Sequence, residues 1–196
     1  MKTFDYKGRR VDFRAVTGEV TGSHKHAETY VSGSGGGGST YNGHGRTAPV
    51  QISSTVVVKQ EFFLKPTSGN EIPVKLRNED IPLKDGQNVT MVSGHVGDKG
   101  EWTHLVNHNA ALYWKLGNTG AHATVWGLVR NPAWVLLIGI AIWIAIAYLV
   151  NGAIGFLLAV AYWVFEWLNK RKATKELETH LDEIGRETLT SGATIS

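Results

Sequence analysis

The sequence predicts a small antiparallel β-barrel, OB-like or SH3-like, followed by two transmembrane helices and a short C-terminal amphipathic helix. Three observations predict this fold class. Short alternating segments recur between residues 11 and 116, an uncharged run covers 133–165, and a polar segment with spaced apolar residues follows it. The expected divisions are a barrel domain at 1–118, a connector at 119–131, a helical hairpin at 132–168, and a cytoplasmic helix and tail at 169–196.

Alternation of apolar and polar residues predicts the strands. Residues 1–22 contain the first strand, and the segment 55–65 places four apolar residues on one face: Val56, Val58, Phe62 and Leu64. The turn at 66–70 then predicts a hairpin with 71–76. Later strands are expected at 88–96, 102–106 and 111–116. Short strands at about ten-residue spacing favour a closed barrel, because closure leaves no free sheet edge.

A glycine-rich stretch at 32–46 interrupts the predicted barrel. Its run from 33 to 39 has the composition of a flexible linker. One interpretation is a flexible insertion between two strands. The alternative is a loop that orders against a protein partner or a neighbouring subunit, through Tyr30, Tyr41 and His44. The glycines do not predict a phosphate-binding loop, because no Lys-Ser/Thr follows them at the required spacing.

The uncharged run is too long for one membrane-spanning helix. Its 33 residues would extend about 50 Å as a helix, whereas a bilayer core is about 30 Å thick. Asn151 and Gly152 form a turn dipeptide near its middle. Helices are therefore predicted at 132–150 and 153–168. A buried hairpin in a soluble domain is the alternative, but no other part of the chain is large enough to cover two such helices.

Positive charges lie at one end of the predicted hairpin. Arg130 precedes the first helix, and four basic residues follow the second: Lys170, Arg171, Lys172 and Lys175. Because positive residues favour the cytoplasmic side, both termini are expected there, in a bacterial inner membrane. Residues 1–20 do not have the apolar core of a signal peptide. Five tryptophans are expected at the lipid headgroups: Trp114, Trp126, Trp134, Trp163 and Trp167.

Small residues in the predicted helices occur in pairs that are four apart, Ala141 with Ala145 and Gly155 with Ala159. Such pairs let helices approach closely. They are expected to pack one hairpin together, and packing between subunits is the alternative.

Glu166 is the one acidic residue of the second predicted helix. It is expected to pair with Lys170 at the membrane edge. The alternative is a ring of Glu166 side chains at the mouth of an oligomeric pore, with Asn151 and Gly152 as further pore candidates.

The segment after Leu168 is predicted to continue as a helix. Leu177, Leu181 and Ile184 recur at spacings of four and three, as in a coiled-coil seam about two heptads long. This seam is expected either to pack on the chain's own barrel or to join two subunits of an oligomer.

Composition argues against several kinds of chemistry. The chain has no cysteine and a formal net charge of only +3. Acidic residues interrupt the basic face formed by Lys59, Lys65, Lys75 and Arg77, so nucleic-acid binding is not expected. His24 with His26, and His104 with His108, lack the further convergent ligands of a zinc site. No catalytic residue, metal ion or cofactor is therefore expected.

These patterns together predict a non-enzymatic integral membrane protein. It is expected to contact the lipid bilayer, to form a homo-oligomer, and to present its barrel or glycine-rich loop to another protein as a scaffold. Two alternatives remain open. One is an oligomeric channel lined by the hairpin helices, and the other is a membrane-tethered sensor whose barrel binds a nucleic acid or a small ligand.

Overall fold

A computed structural model describes residues 2–35, 39–41, 44–46, 50–67 and 69–191 of the chain. The chain divides into two compact units. Unit 1 consists of Met1–Gly18 and Gln87–Ser196, and unit 2 consists of Glu19–Gly86.

The strands form an open antiparallel sheet. The described residues contain nine strands: β1 Lys2–Tyr6, β2 Arg9–Ser34, β3 Ser39–Tyr41, β4 His44–Arg46, β5 Gln51–Pro66, β6 Ile72–Arg77, β7 Asn88–Val96, β8 Lys99–Asn107 and β9 Leu112–Lys115. Seven of them pair in the order β6-β5-β2-β7-β8-β9, with β1 also paired to β2. The sheet is not closed, so the predicted barrel is wrong.

In unit 1 a helix, and not barrel closure, covers the apolar side of the sheet. The helices are α1 Thr119–Val125, α2 Pro132–Leu149 and α3 Gly152–Thr190. The last part of α3 packs against β1, β8 and β9. A helix on one face buries the apolar side of a sheet without closing it. Alternation along the strands does not distinguish these two solutions.

The predicted glycine-rich loop is partly strand. β2 has 26 residues and continues to Ser34, whereas the first strand is predicted within residues 1–22. β3 and β4 pair with each other in antiparallel register, from Ser39↔Arg46 to Tyr41↔His44. Residues 36–38 and 42–43 of the predicted loop lie outside the described residues. Residues 32–34 of the predicted loop thus belong to β2, and the flexibility that the composition predicts stays a prediction.

Unit 2 has a small core of its own. The predicted hairpin is confirmed, because β5 pairs with β6 from Lys59↔Arg77 to Leu64↔Ile72. Phe62 and Leu64 are buried, as predicted, but Val56 on the same face is exposed. Gln60 is also buried, and its amide bonds both backbone groups of Ile81: Nε2 donates to the carbonyl oxygen at 2.9 Å, and Oε1 accepts from the N–H at 3.3 Å.

The core of unit 1 lies between its sheet and its helices. It contains Phe13 from β2 and Trp126, which follows α1, with their rings in a T-shaped contact. Gly94 on β7 leaves room for this indole, because an added Cβ would lie 2.5 Å from Trp126. Trp126 is only 1% exposed, so its predicted place among lipid headgroups is wrong.

The predicted connector at 119–131 contains a short helix, α1. Asn118 caps α1 by accepting from the backbone N–H groups of Gly120 and Ala121 at 2.8 and 3.2 Å. Gly127 then has a φ of 68°, which ends the segment in a conformation that glycine readily adopts. Two long apolar helices follow where they are predicted. α3 has 39 residues and extends about 58 Å without interruption, at about 1.5 Å per residue.

Candidate functional site

The two long helices expose apolar surface on nearly every side. Both α2 and α3 contain segments long and apolar enough to cross a membrane, and only 6% and 11% of those segments are buried. The core helix of a soluble domain would be mostly buried instead. Tyr148, at the turn end of the hairpin, is 89% exposed. The low burial favours the membrane interpretation of the uncharged run.

Glycines and indoles hold the hairpin together. Gly139, Gly155 and Ala159 are buried between α2 and α3. Trp163 Nε1 donates to the Val135 carbonyl oxygen at 3.2 Å, and Trp143 Nε1 donates to the Gly152 carbonyl oxygen at the same distance. The pair Gly155 and Ala159 thus packs within one hairpin, as expected.

The other predicted pair has a different position. Ala141 and Ala145 are exposed on α2, so they do not pack this hairpin. Gly139 occupies the close contact in their place. The four-residue spacing of small residues misses it, because the residues four positions before and after Gly139 are Val135 and Trp143. The exposed position of the alanine pair agrees with its alternative use between subunits.

Asn151 and Gly152 form the turn between the helices. Asn151 Oδ1 accepts from the Ala153 backbone N–H at 2.8 Å, which caps α3. The turn prediction is confirmed, and the observed role of both residues is to begin a helix.

Glu166 pairs with a different residue from the one predicted. Its carboxylate accepts a hydrogen bond from Arg130 Nη1 at 2.9 Å, and the same nitrogen donates to the Tyr162 hydroxyl at 3.3 Å. The predicted partner Lys170 makes no ion pair with it among the described residues. Arg130 precedes α2, so this pair joins the two helices at their basic end. An arginine counter-ion reduces the attraction that a ring of these carboxylates would exert on cations.

The predicted oligomer seam lies in the chain's own core. Leu177, Leu181 and Ile184 are at most 2% exposed and pack with residues of β1 and β2. Lys115 on β9 reinforces this contact by pairing with Asp182 at 2.7 Å and Glu178 at 3.3 Å. The spacing is correct for an apolar stripe, but the sheet covers that stripe. These three side chains are therefore not exposed for contact between subunits.

An exposed surface in unit 2 belongs to the ribbon, defined here as residues 27–35 of β2 and 50–58 of β5. Its strands are adjacent, because a Cβ added to Gly33 would lie 3.9 Å from Ile52 Cγ1, and one added to Gly35 would lie 3.8 Å from Val50 Cγ2. By alternation, Val31 and Val56 share this face. The face, here called the apolar ribbon face, carries large exposed side chains: Val31 68%, Val50 67%, Ile52 69% and Val56 58%.

The opposite face of the ribbon is polar. Ser32 Oγ and Ser53 Oγ form a hydrogen bond of 2.8 Å across the strands. Lys59 Nζ and the Tyr30 hydroxyl both donate to Glu28, each at 2.5 Å. Hydrogen bonds from Lys59 and then Tyr30 lower the pKa of Glu28 to about 2. Glu28 and Lys59 lie on this polar face, so their charges do not interrupt the apolar ribbon face.

The residues proposed for an interaction loop are only partly brought together. Tyr30 lies in β2, is 54% exposed, and points to the polar face. Tyr41 and His44 are opposite each other at the end of the β3–β4 pair. Sequence reasoning missed Val31, Val50 and Ile52, because the glycine-rich composition obscures their alternation. The absence of Asp, Glu, Lys and Arg from 29–35 and 50–58 is the signal that would have identified this surface.

In the described part of the chain, no group of three or more His, Cys, Asp or Glu side chains is arranged to bind a metal ion. The rings of His24 and His26 stack at 5.7 Å, as their shared strand face predicts. His104 is fully buried, its Nε2 has no hydrogen-bond partner, and burial lowers its pKa to about 4. No protein-family model, curated protein or solved structure matches the chain.

Proposed function

We propose that this chain is a non-enzymatic integral membrane scaffold that self-associates through the apolar ribbon face. The hairpin of α2 and α3 anchors it in the membrane, and the strands and the C-terminal part of α3 lie on the cytoplasmic side. A second copy of the chain covers the apolar ribbon face of the first.

The exposed apolar ribbon face carries this proposal. Monomeric soluble domains rarely leave contiguous large apolar side chains uncovered, and such patches mark interaction sites. Val31, Val50 and Ile52 form such a patch on strands that contain no charged residue at these positions. Gly33 and Gly35 lack side chains, so a flat partner can approach the strands closely. A second ribbon of the same kind has the matching flat, apolar and uncharged surface.

The membrane anchor has independent support. α2 and α3 are long and apolar enough to cross a membrane, and little of their surface is covered within the chain. Basic residues are concentrated at the end of the hairpin where Arg130 meets Glu166. The positive-inside rule assigns that end to the cytoplasm.

Oligomer mass in detergent tests the proposed self-association. The variant V31K/I52K places two charges on the apolar ribbon face, and S32K/S53K places the same charges on the polar face. We expect the wild-type chain and S32K/S53K to form an oligomer of the same defined mass. In V31K/I52K the dissociation constant of the oligomer should rise by about 100-fold or more, because burying an unpaired ammonium is costly.

Light scattering or native mass spectrometry of the solubilised full-length chain measures these masses. Circular dichroism confirms that each variant retains its sheet. A monomeric wild-type chain, or an oligomer that persists in V31K/I52K, would disprove self-association through this face. Release of the chain from membranes by alkaline carbonate would instead disprove the anchor.

A further inference from the structure

A cavity of about 580 Å³ lies at the basic end of the hairpin, within unit 1. Its walls come from the β1–β2 turn, the segment before α2, and the middle of α3. Three basic residues line it, one from each of these segments: Lys7, Arg130 and Lys170. Residues distant in sequence thus bring positive charge to one place.

The turn between β1 and β2 positions the first of these charges. Lys7 and Gly8 have φ angles of 48° and 78°, and the strands around them pair from Tyr6↔Arg9 onwards. This is the geometry of a tight two-residue hairpin turn. Lys7 Nζ donates to Asn169 Oδ1 on α3 at 3.2 Å, which leaves two of its three hydrogens for other acceptors.

The cavity carries more positive than negative charge. Glu166 is its single carboxylate, and Arg130 pairs with it through Nη1 at 2.9 Å. The N–H groups on Nη2 and Nε of Arg130 have no partner among the described residues. Lys170 forms no ion pair in the described part of the chain. Two positive charges therefore remain once Glu166 is neutralised.

The wall that descends along the hairpin is apolar. Val135 and Leu136 of α2 and Trp163 of α3 belong to it. Leu136 is 54% exposed, so the described residues leave much of this side uncovered. Tyr6 also lines the cavity, and its hydroxyl is buried without a hydrogen-bond partner among the described residues. Cationic donors at one end and an apolar wall at the other are complementary to a phosphate group attached to an acyl chain.

We propose that this cavity binds the headgroup of an anionic phospholipid. Its phosphate contacts Lys7, Arg130 and Lys170, and one acyl chain follows Val135, Leu136 and Trp163. This inference rests on the proposed membrane anchor. Basic pockets at the cytoplasmic ends of transmembrane helices are suited to anionic headgroups, because the attraction acts at the membrane surface where such lipids are concentrated. Charge-assisted hydrogen bonds from arginine and lysine to phosphate are among the strongest that side chains form.

Lipid titrations of the full-length chain test this site. The protein in detergent micelles is titrated with phosphatidylglycerol, with phosphatidylcholine of the same acyl chains, and with inorganic phosphate, and native mass spectrometry counts the bound molecules. We expect phosphatidylglycerol to bind with one saturable site, and phosphatidylcholine to bind at least ~10-fold more weakly. Inorganic phosphate should not compete at equal concentration.

A matched pair of variants locates the binding. K7Q/K170Q removes two charges that line the cavity. K172Q/K175Q removes two nearby charges of α3 that do not line it. We expect K7Q/K170Q to weaken phosphatidylglycerol binding by ~10-fold or more, and K172Q/K175Q to weaken it by less than ~3-fold.

Three results would overturn the proposal. Equal binding of the two lipids would remove the anionic specificity, and equal losses in the two variants would move the binding away from the cavity. Competition by inorganic phosphate at equal concentration would identify a soluble anion site instead of a lipid site. All three leave the membrane anchor intact, because that is tested separately by resistance to carbonate extraction.

Discussion

Gly139 determines how closely the two apolar helices approach. The indole of Trp163 occupies the position where a side chain at 139 would lie, and it donates a hydrogen bond to Val135. A glycine in a helix is usually unfavourable by about 1 kcal/mol relative to alanine, so its presence here has a packing reason.

Replacing Gly139 by alanine should therefore destabilise the hairpin. The new Cβ would overlap Trp163, and relieving the overlap should cost about 1–3 kcal/mol. Thermal unfolding of the solubilised chain, followed by circular dichroism, measures the loss. Gly152→Ala is the matched control, because nothing lies within 4 Å of a Cβ added there. Equal stability of the two variants would contradict the close helix contact.

His104 makes the stability of unit 1 depend on pH. Burial is the main cause that lowers its pKa to about 4, with smaller contributions from Lys115 and His122 in the same direction and from Asp182 in the opposite one. An unfolded histidine has a pKa near 6.5, so the unfolded chain takes up the proton first as the pH falls. The folded state is therefore fully favoured above about pH 6.5 and loses stability between there and about pH 4.

His104→Leu should remove most of this pH dependence. The wild-type chain should lose up to about 3 kcal/mol more than the variant between pH 7.5 and pH 4, as measured by urea unfolding in detergent. A smaller slope should remain in the variant, because burial also lowers the pKa of His95, His108 and His180. Parallel curves for the two proteins would show that His104 is not buried in its neutral form.

One continuous helix, α3, belongs both to the apolar hairpin and to the folded core of unit 1. Its first part is apolar on all sides and exposed, whereas its last part buries a single stripe against the sheet. Lys2 pairs with Glu187 near the end of this helix, and Lys115 pairs with Asp182. The same backbone thus links the apolar hairpin to the folded core of unit 1.

Leu177→Ala tests whether this stripe is intramolecular. Leu177 is fully buried, so the truncation should cost about 2–5 kcal/mol. Because the contact is within one chain, the loss should not depend on protein concentration, which a seam between subunits would require. Urea unfolding at two concentrations that differ tenfold measures this. Leu112→Ala, at a residue that is 54% exposed, should cost only about 0.5 kcal/mol.

At the scale of the whole molecule, the proposed topology places the basic end of the hairpin inside the cell and the turn outside. The chain contains no cysteine, so single cysteines report their own accessibility. Tyr148→Cys, at a residue 89% exposed near the turn, should react with a membrane-impermeant maleimide on intact cells. Lys99→Cys and Lys175→Cys should react only after lysis.

The expected labelling ratio between intact and lysed cells is close to one for Tyr148→Cys and close to zero for the other two. Labelling of Lys99→Cys in intact cells would reverse the orientation. Labelling of all three variants only after lysis would show that the hairpin does not cross the membrane.

Local patterns in the chain are sufficient to predict the two apolar helices, their turn at Asn151, most strand positions, and the stripe of Leu177, Leu181 and Ile184. Each of these features depends on local composition or periodicity. The period of a helix or a strand determines which nearby residues share a face, so the pattern can be read from neighbouring positions. Contacts between distant parts of the fold establish that the sheet stays open, that the sheet covers that stripe of α3, and that Glu166 pairs with Arg130. These outcomes depend on which distant surfaces meet, and alternation has the same pattern whether the partner is a barrel wall, a helix or another subunit.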